Sequence, residues 1–272
     1  MVVFPNAKIN LGLHILRRRP DGYHDIETLM LPVDWTDILE VVPSRTSADT
    51  LVTTGRSIDC PPEKNLVMKA LRLLREVVPV PPVEVHLHKI VPDGAGLGGG
   101  SSDAAFILKA VNEIFGLGLS EARLAAVAAR VGADCPFFIY NKPAICSGVG
   151  TEISPVKSPI PDGTWILVSK PEVSVSTREA YSAVEPTERD AGLMSLLEAI
   201  KPDEWSGMVA NDFEAYVAST HPAIAAEKES IAAAGAWYAS LSGSGAAVYG
   251  LFDKCPAVSE TPHRRVCQLR SV

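Results

Sequence analysis

The chain has 272 residues, of which 47% are hydrophobic and 21% charged, with a formal net charge of −7 and an isoelectric point near 5.4. That balance belongs to a folded globular chain, not a disordered or fibrous one, and the acidity argues against non-specific binding to nucleic acid or to an anionic membrane surface. The five cysteines, Cys60, Cys135, Cys146, Cys255 and Cys267, are odd in number and contain no C-x-x-C pair, so neither a disulfide framework nor a zinc site is indicated and a reducing, cytoplasmic compartment is expected.

The first residues lack a basic leader with an apolar core, and no run of about 18 apolar residues follows anywhere, so neither export nor membrane insertion is expected. Apolar residues then alternate through Ala7, Ile9, Leu11, Leu13 and Ile15, through Ile26, Leu29, Leu31 and Val33, and through Val83, Val85 and Leu87, which predicts strands. In the first of these, Lys8 and Asn10 share the face opposite the apolar one and can point into one cleft. The run Arg17-Arg18-Arg19 beside Pro20-Asp21-Gly22 reads as a solvated turn. One helix is expected from about Lys64 to Glu76, with Leu66, Ala70, Leu73 and Leu74 at helical spacing. His86 and His88 fall on the polar side of a half-buried strand.

The segment Pro92, Asp93, Gly94, Ala95, Gly96, Leu97, Gly98, Gly99, Gly100, Ser101, Ser102 follows a strand and opens a helix. A phosphate needs backbone N–H donors at close range; glycine permits positive φ angles and an unobstructed approach, and a helix N-terminus adds free N–H groups and a favourable dipole. Ser101 and Ser102 can add hydroxyl donors. Gly94, Gly96 and Gly99 also satisfy the short dinucleotide fingerprint, but a second helix stands where that fold needs a strand with an acidic residue; no Lys follows for a Walker loop. Ordering five glycines within seven residues costs roughly 0.5–1 kcal/mol each relative to Ala, which disfavours an empty turn.

Two helices come next. One is led by Ser101, Ser102 and Asp103, with Ala104, Leu108, Val111 and Phe115 on a face; the other runs from Ser120 and is stopped by Gly132. Asp134 follows in a stretch expected to be extended because of Pro136, between apolar neighbours that suggest partial burial. An ionised carboxylate there asks for a cation, for which Lys8 is the natural candidate; a capping or surface role for Asp134 is the alternative. Three prolines within Pro155 to Gly163 mark an expected boundary, giving domains 1–155 and 156–272. Beyond it lie a strand from Trp165 to Ser169, helical stretches near 191–200, 206–219 and 222–234, and two apolar strands flanking Ser242-Gly-Ser-Gly245. Strands and helices mix without strict alternation, so the class is α+β and not a doubly wound parallel sheet.

Taken together, Pro5 to Leu13, Pro92 to Ala105 and Leu241 to Ala247 resemble, in order, the three motifs of the GHMP kinases. The resemblance covers most of the chain. It implies a two-domain fold: an N-terminal nucleotide domain like ribosomal protein S5 domain 2, and a ferredoxin-like C-terminal domain. Within the superfamily, Arg19-Pro-Asp-Gly-Tyr-His-Asp-Ile-Glu-Thr28 and Gly132-Ala-Asp-Cys-Pro136 are similar to the branch acting on 4-diphosphocytidyl-2-C-methyl-D-erythritol in non-mevalonate isoprenoid synthesis. The resemblance then implies a kinase using ATP, with Lys8 and Asp134 as the catalytic pair. Asn10, Tyr23, His24, Thr177 and Tyr181 would line the alcohol site, with the Tyr181 ring on cytosine, and Asn65 would lie near the adenine. Mg²⁺ is expected to arrive with the nucleotide, with no ligands assigned to it. A small-molecule substrate, no nucleic-acid or membrane partner, and a monomer or weak homodimer complete the expectation.

Overall fold

The computed structural model describes all residues except 59, 188, 190 and 270–272. Its strands, in chain order, are Val2–Val3 (β1), Asn6–Arg18 (β2), His24–Thr36 (β3), Ile38–Pro43 (β4), Thr50–Gly55 (β5), Val83–Lys89 (β6), Ala144–Ser147 (β7), Glu152–Pro155 (β8), Trp165–Ser169 (β9), Tyr238–Leu241 (β10), Val248–Phe252 (β11) and Arg264–Gln268 (β12). The helices are Leu66–Arg75 (α1), Gly99–Ile114 (α2), Glu121–Val131 (α3), Cys135–Tyr140 (α4), Thr177–Ala183 (α5), Leu193–Ala199 (α6), Glu214–Thr220 (α7) and Pro222–Ala233 (α8).

Packing divides the chain into two compact units, of residues 1–7, 35–93 and 98–141, and of residues 8–34, 94–97 and 142–272. Strands β7 and β8 extend a sheet of order β2-β3-β7-β8 in the second unit.

The first unit holds a sheet of order β1-β4-β6-β5, antiparallel except for the parallel β5–β6 pair. Along β6 the alternation expected from Val83, Val85 and Leu87 is realised: these three are buried, while His86 and His88 face solvent. The register continues to Lys89, a charged residue at an inward position. Helices α1 to α4 pack beside one another in this unit. Asn65 caps α1, its side chain accepting from Val67 N, and Ser120 caps α3 by accepting from Arg123 N.

In the second unit the sheet β10-β11-β9-β12 is antiparallel throughout. Strand β11 separates β9 from β10, and β9 separates β11 from β12, which is the split arrangement of a ferredoxin-like domain. Its core gathers Leu167, Phe213, Val217, Ile224, Ile231 and Val248 with Leu13 and Ile15 of β2.

Every residue of β2 from Asn6 to Ile15 is buried, so the face shared by Lys8 and Asn10 is an interior one. Two local expectations need correction. Asp134 is not extended; it has helical dihedrals and precedes α4, in whose first turn Pro136 sits, where its missing N–H costs nothing. The helix expected over 206–219 begins only at Glu214, because 210–212 runs beside β2 instead: Leu13 N donates to Ala210 O at 3.0 Å and Asp212 N to Leu13 O at 2.9 Å.

Candidate active site

In the second unit, three stretches far apart in sequence meet. Lys8 N donates to Leu97 O at 2.9 Å, Ala247 N to Ala95 O at 3.0 Å, and the Ser242 hydroxyl to Gly96 O at 2.9 Å. The start of the glycine loop is thus joined to β2 on one side and to the β10–β11 turn on the other. Glycine is obligatory here for two reasons. Gly96 has φ +74°, and a Cβ on it would lie 2.0 Å from Ser242 O. The turn is itself held from below, since the buried Asn211 side chain donates to Leu241 O and Gly243 O, both at 2.9 Å.

The polar face of β2 is wired in the same unit. Lys8 Nζ donates to Asn10 Oδ1 at 2.5 Å, Asn10 Nδ2 to Thr28 Oγ1 at 3.0 Å, and the Thr28 hydroxyl to Gly12 O at 2.6 Å. Tyr249 OH donates to Asn10 O at 2.9 Å. This chain fixes the Asn10 amide orientation and gives the Lys8 ammonium a defined position, although it lies only 2% exposed.

On the side expected to meet the alcohol, the His24 and Tyr181 rings stack, with centroids 5.1 Å apart and planes 27° from parallel. Tyr181 meets Phe213 edge-on at 4.8 Å. Burial, and secondarily the charge of Arg18, hold the His24 imidazole below its ordinary pKa, so it is neutral and able to accept as well as donate at neutral pH. The Thr177 and Ser244 hydroxyls lie 3.0 Å apart, which links the start of α5 to the β10–β11 turn. Tyr23 is 66% exposed beside the Asp21-Gly22 turn, a position open to a ligand. Of the neighbouring arginines, Arg17 and Arg19 are both paired with Asp25, and Arg19 also with Asp21.

In the first unit, the remainder of the loop becomes the N-terminus of α2. Gly98, at φ 70°, is its cap, so the helix starts two residues before Ser101. Gly99 is closely packed, since a Cβ on it would lie 3.2 Å from Val91 Cγ1, whereas one on Gly100 would meet only Leu66 Cδ1, at an ordinary 3.6 Å. Of the two serines expected to offer hydroxyls, Ser102 is fully buried and its Oγ has no hydrogen-bond partner. Ser101 is hydrogen-bonded with the Cys135 thiol, whose pKa burial pushes up to about 12 despite that bond. This places the first turn of α2 beside the start of α4, where Asp134 sits.

Sequence reading gave Thr28 and Ser242 no role although both lie in the segments it singled out, and it missed Asn211, Asp37 and Lys89. Only Lys89 leaves a local signal, a lysine continuing the inward positions of an apolar strand. No group of three or more His, Cys, Asp or Glu residues capable of holding a metal occurs among the described residues. Asp103 accepts from Lys89 Nζ at 2.8 Å, which commits one of its oxygens elsewhere. No helix among the described residues is long and apolar enough to cross a membrane.

Residues 65–142 match the family model for the GHMP kinases N terminal domain, and 193–260 that for the GHMP kinases C terminal. A 4-diphosphocytidyl-2-C-methyl-D-erythritol kinase of Parabacteroides distasonis is 48% identical over 254 residues, covering 93% of this chain and 92% of that one. One of Bacteroides thetaiotaomicron is 48% identical over 265 residues, covering 96% and 95%. A crystal structure of 4-(cytidine 5'-diphospho)-2C-methyl-D-erythritol kinase superposes with a TM-score of 0.76 at 33% identity, over 92% of this chain and 90% of that one. Homoserine kinase from Cytophaga hutchinsonii shares the fold at a TM-score of 0.70 and 20% identity, over 93% of this chain and 85% of that one. With its three motifs joined as described and this identity over nearly its whole length, the chain belongs to the 4-diphosphocytidyl-2-C-methyl-D-erythritol kinase family of the GHMP kinases.

Proposed function

We propose that this protein transfers the γ-phosphate of ATP to the C2 hydroxyl of 4-diphosphocytidyl-2-C-methyl-D-erythritol, a step of non-mevalonate isoprenoid precursor synthesis. The observation that carries the reading is the junction of β2, the glycine loop and the β10–β11 turn through Lys8, Ala95, Gly96, Leu97, Ser242 and Ala247. Phosphoryl transfer asks a protein mainly for positioning and charge neutralisation, and a loop fixed from both sides supplies the first.

In this reading, the phosphates lie along Pro92 to Ser102, with Asn65 near the adenine. Asp134 takes the proton of the attacking hydroxyl, and Lys8 neutralises developing charge on the hydroxyl or a γ-phosphate oxygen. Asn10 holds Lys8 and presents its amide to the alcohol. His24 reads the cytosine edge, Tyr23 and Tyr181 provide ring faces, and Thr177 offers its hydroxyl. Mg²⁺ would arrive with ATP and keep waters, with no protein ligand assigned to it. Such an ion offsets phosphate charge when bound.

The test compares ADP release on the cytidyl alcohol, homoserine and mevalonate, with ³¹P NMR to locate the new ester. Turnover on the cytidyl alcohol, with the ester at C2, is expected. Preference for either other alcohol refutes the substrate assignment. Asp134→Ala is expected to lower kcat by about 10²–10⁴ while an ATP analogue still binds; wild-type turnover in that variant removes Asp134 from the chemistry.

A further inference from the structure

Beneath the first turn of α2 lies a buried ion cluster of which only Asp103 falls within one of the three motifs. Lys89, at the end of β6 and 2% exposed, donates from Nζ to the Asp37 carboxylate and to Asp103 Oδ2, the latter at 2.8 Å. Asp37, fully buried just before β4, also accepts on Oδ1 from Ile90 N at 2.5 Å and from Val91 N at 2.8 Å. A Cβ placed on Gly99 would lie 3.3 Å from Lys89 Nζ. The ammonium therefore sits against the helix between Gly99 and Asp103, two positions one turn apart on the same face.

A cluster of this kind is poor evidence for stability, because well-packed apolar side chains stabilise a buried site as well or better. What it provides is geometry. Each carboxylate reaches the ammonium from a different element, so the strand entering the loop, the start of β4 and the helix leaving the loop are fixed at one atom. Its charge is also constrained, since two carboxyls face one ammonium. Asp103 Oδ1 is buried without a hydrogen-bond partner, the place where a charged oxygen is least tolerable. Burial, only partly offset by Lys89 and reinforced by Asp37, raises the Asp103 pKa. Burial alone would lower Lys89, but the Asp103 and Asp37 charges outweigh it and raise it.

We propose that Asp37, Lys89 and Asp103 are positioning residues for phosphoryl transfer: a clamp that sets the N-terminal turn of α2, and so its free N–H groups, at the nucleotide phosphates. The proposal rests on the reading that this helix N-terminus receives the phosphates. It specifies that the clamp acts on nucleotide binding and not on the alcohol.

The experiment measures the Kd of a fluorescent ATP analogue, and KM for ATP and for the alcohol, in wild type, Asp103→Leu and Asp103→Asn, at a temperature where circular dichroism shows all three folded. The clamp predicts that Asp103→Leu weakens analogue binding and raises KM for ATP by about tenfold or more, with kcat and the alcohol KM changed by less than about threefold. Asp103→Asn, which keeps an oxygen acceptor for Lys89, restores both nucleotide values to within about threefold of wild type. Where Asp103→Leu does not fold, the double variant Lys89→Met with Asp103→Leu removes the ammonium together with its partner and carries the same prediction. Unchanged nucleotide affinity in a folded Leu variant overturns the clamp, as does a fall in kcat with both KM values unchanged. A wild-type protein that binds no nucleotide overturns the phosphate reading, and the clamp with it.

Discussion

Three glycines of one loop, each replaced by alanine, separate the roles that the structure gives them. Gly94 has φ +58° and open space around its missing Cβ, so Gly94→Ala pays only for a left-handed backbone, roughly 1–2 kcal/mol. At Gly96 the same backbone term applies, but the new Cβ would lie 2.0 Å from Ser242 O and 2.8 Å from Ser242 C, backbone atoms that no rotamer change can move aside. Relief requires parting the loop from the turn. That opens the bonds from Ser242 Oγ to Gly96 O and from Ala247 N to Ala95 O, each a net roughly 0.5–1.5 kcal/mol. The expected total is about 2–5 kcal/mol. Gly99 is helical; its Cβ would press on Val91 Cγ1 at 3.2 Å, while the gain in helix propensity returns about 1 kcal/mol, so Gly99→Ala is expected within about 1 kcal/mol of wild type.

Urea unfolding and KM for ATP, measured on all three variants, give the order directly. Gly96→Ala is expected to be the least stable and to raise KM for ATP by at least about tenfold over Gly94→Ala. If Gly96→Ala is no worse than Gly94→Ala in both measurements, the contact between the loop and the β10–β11 turn does not hold the phosphate cradle, and the reasoning from it fails.

His14 is 1% exposed with both ring nitrogens unpartnered, and burial, then the Arg189 charge, lowers its pKa to about 4 against the opposing effect of Asp212. The unfolded chain takes up this proton first, so stability is lost as pH falls from about 6.5 towards 4, by about 3 kcal/mol in all; urea midpoints across that range in wild type and His14→Leu check it, the variant losing that part of the slope. Asn211→Ala leaves Leu241 O, Gly243 O and Phe213 N without their partner, and a loss of about 3 kcal/mol or more is expected by urea unfolding. Tyr181→Leu keeps apolar bulk but removes the ring stacked on His24; KM for the cytidyl alcohol should rise several-fold, in line with about 0.5–1.5 kcal/mol for an aromatic pair, with KM for ATP unchanged.

Local pattern was enough for much of the architecture. Alternation fixed the inward residues of β6, the Ser120 cap and Gly132 bounded α3, and the glycine run stood between a strand and a helix as its spacing required. It also put Lys8 and Asn10 on one face, and their side chains do meet. Alternation could not tell that both faces of β2 would be covered, because a strand buried on two sides by polar wiring looks, residue by residue, like one with a wet side. Nor could it place 210–212, where pairing with Leu13 overrode helical spacing.

What the amino-acid order determined by itself was therefore whatever depends on neighbours a few positions apart: periodicity, caps, and the glycines that a positive φ demands. The tertiary structure alone decided why Gly96 must face Ser242, 146 positions away, and why Asp37 and Asp103 share the ammonium of Lys89. Those contacts depend on which distant side chains fill the space left by a missing Cβ or satisfy a buried charge, and no local period records that.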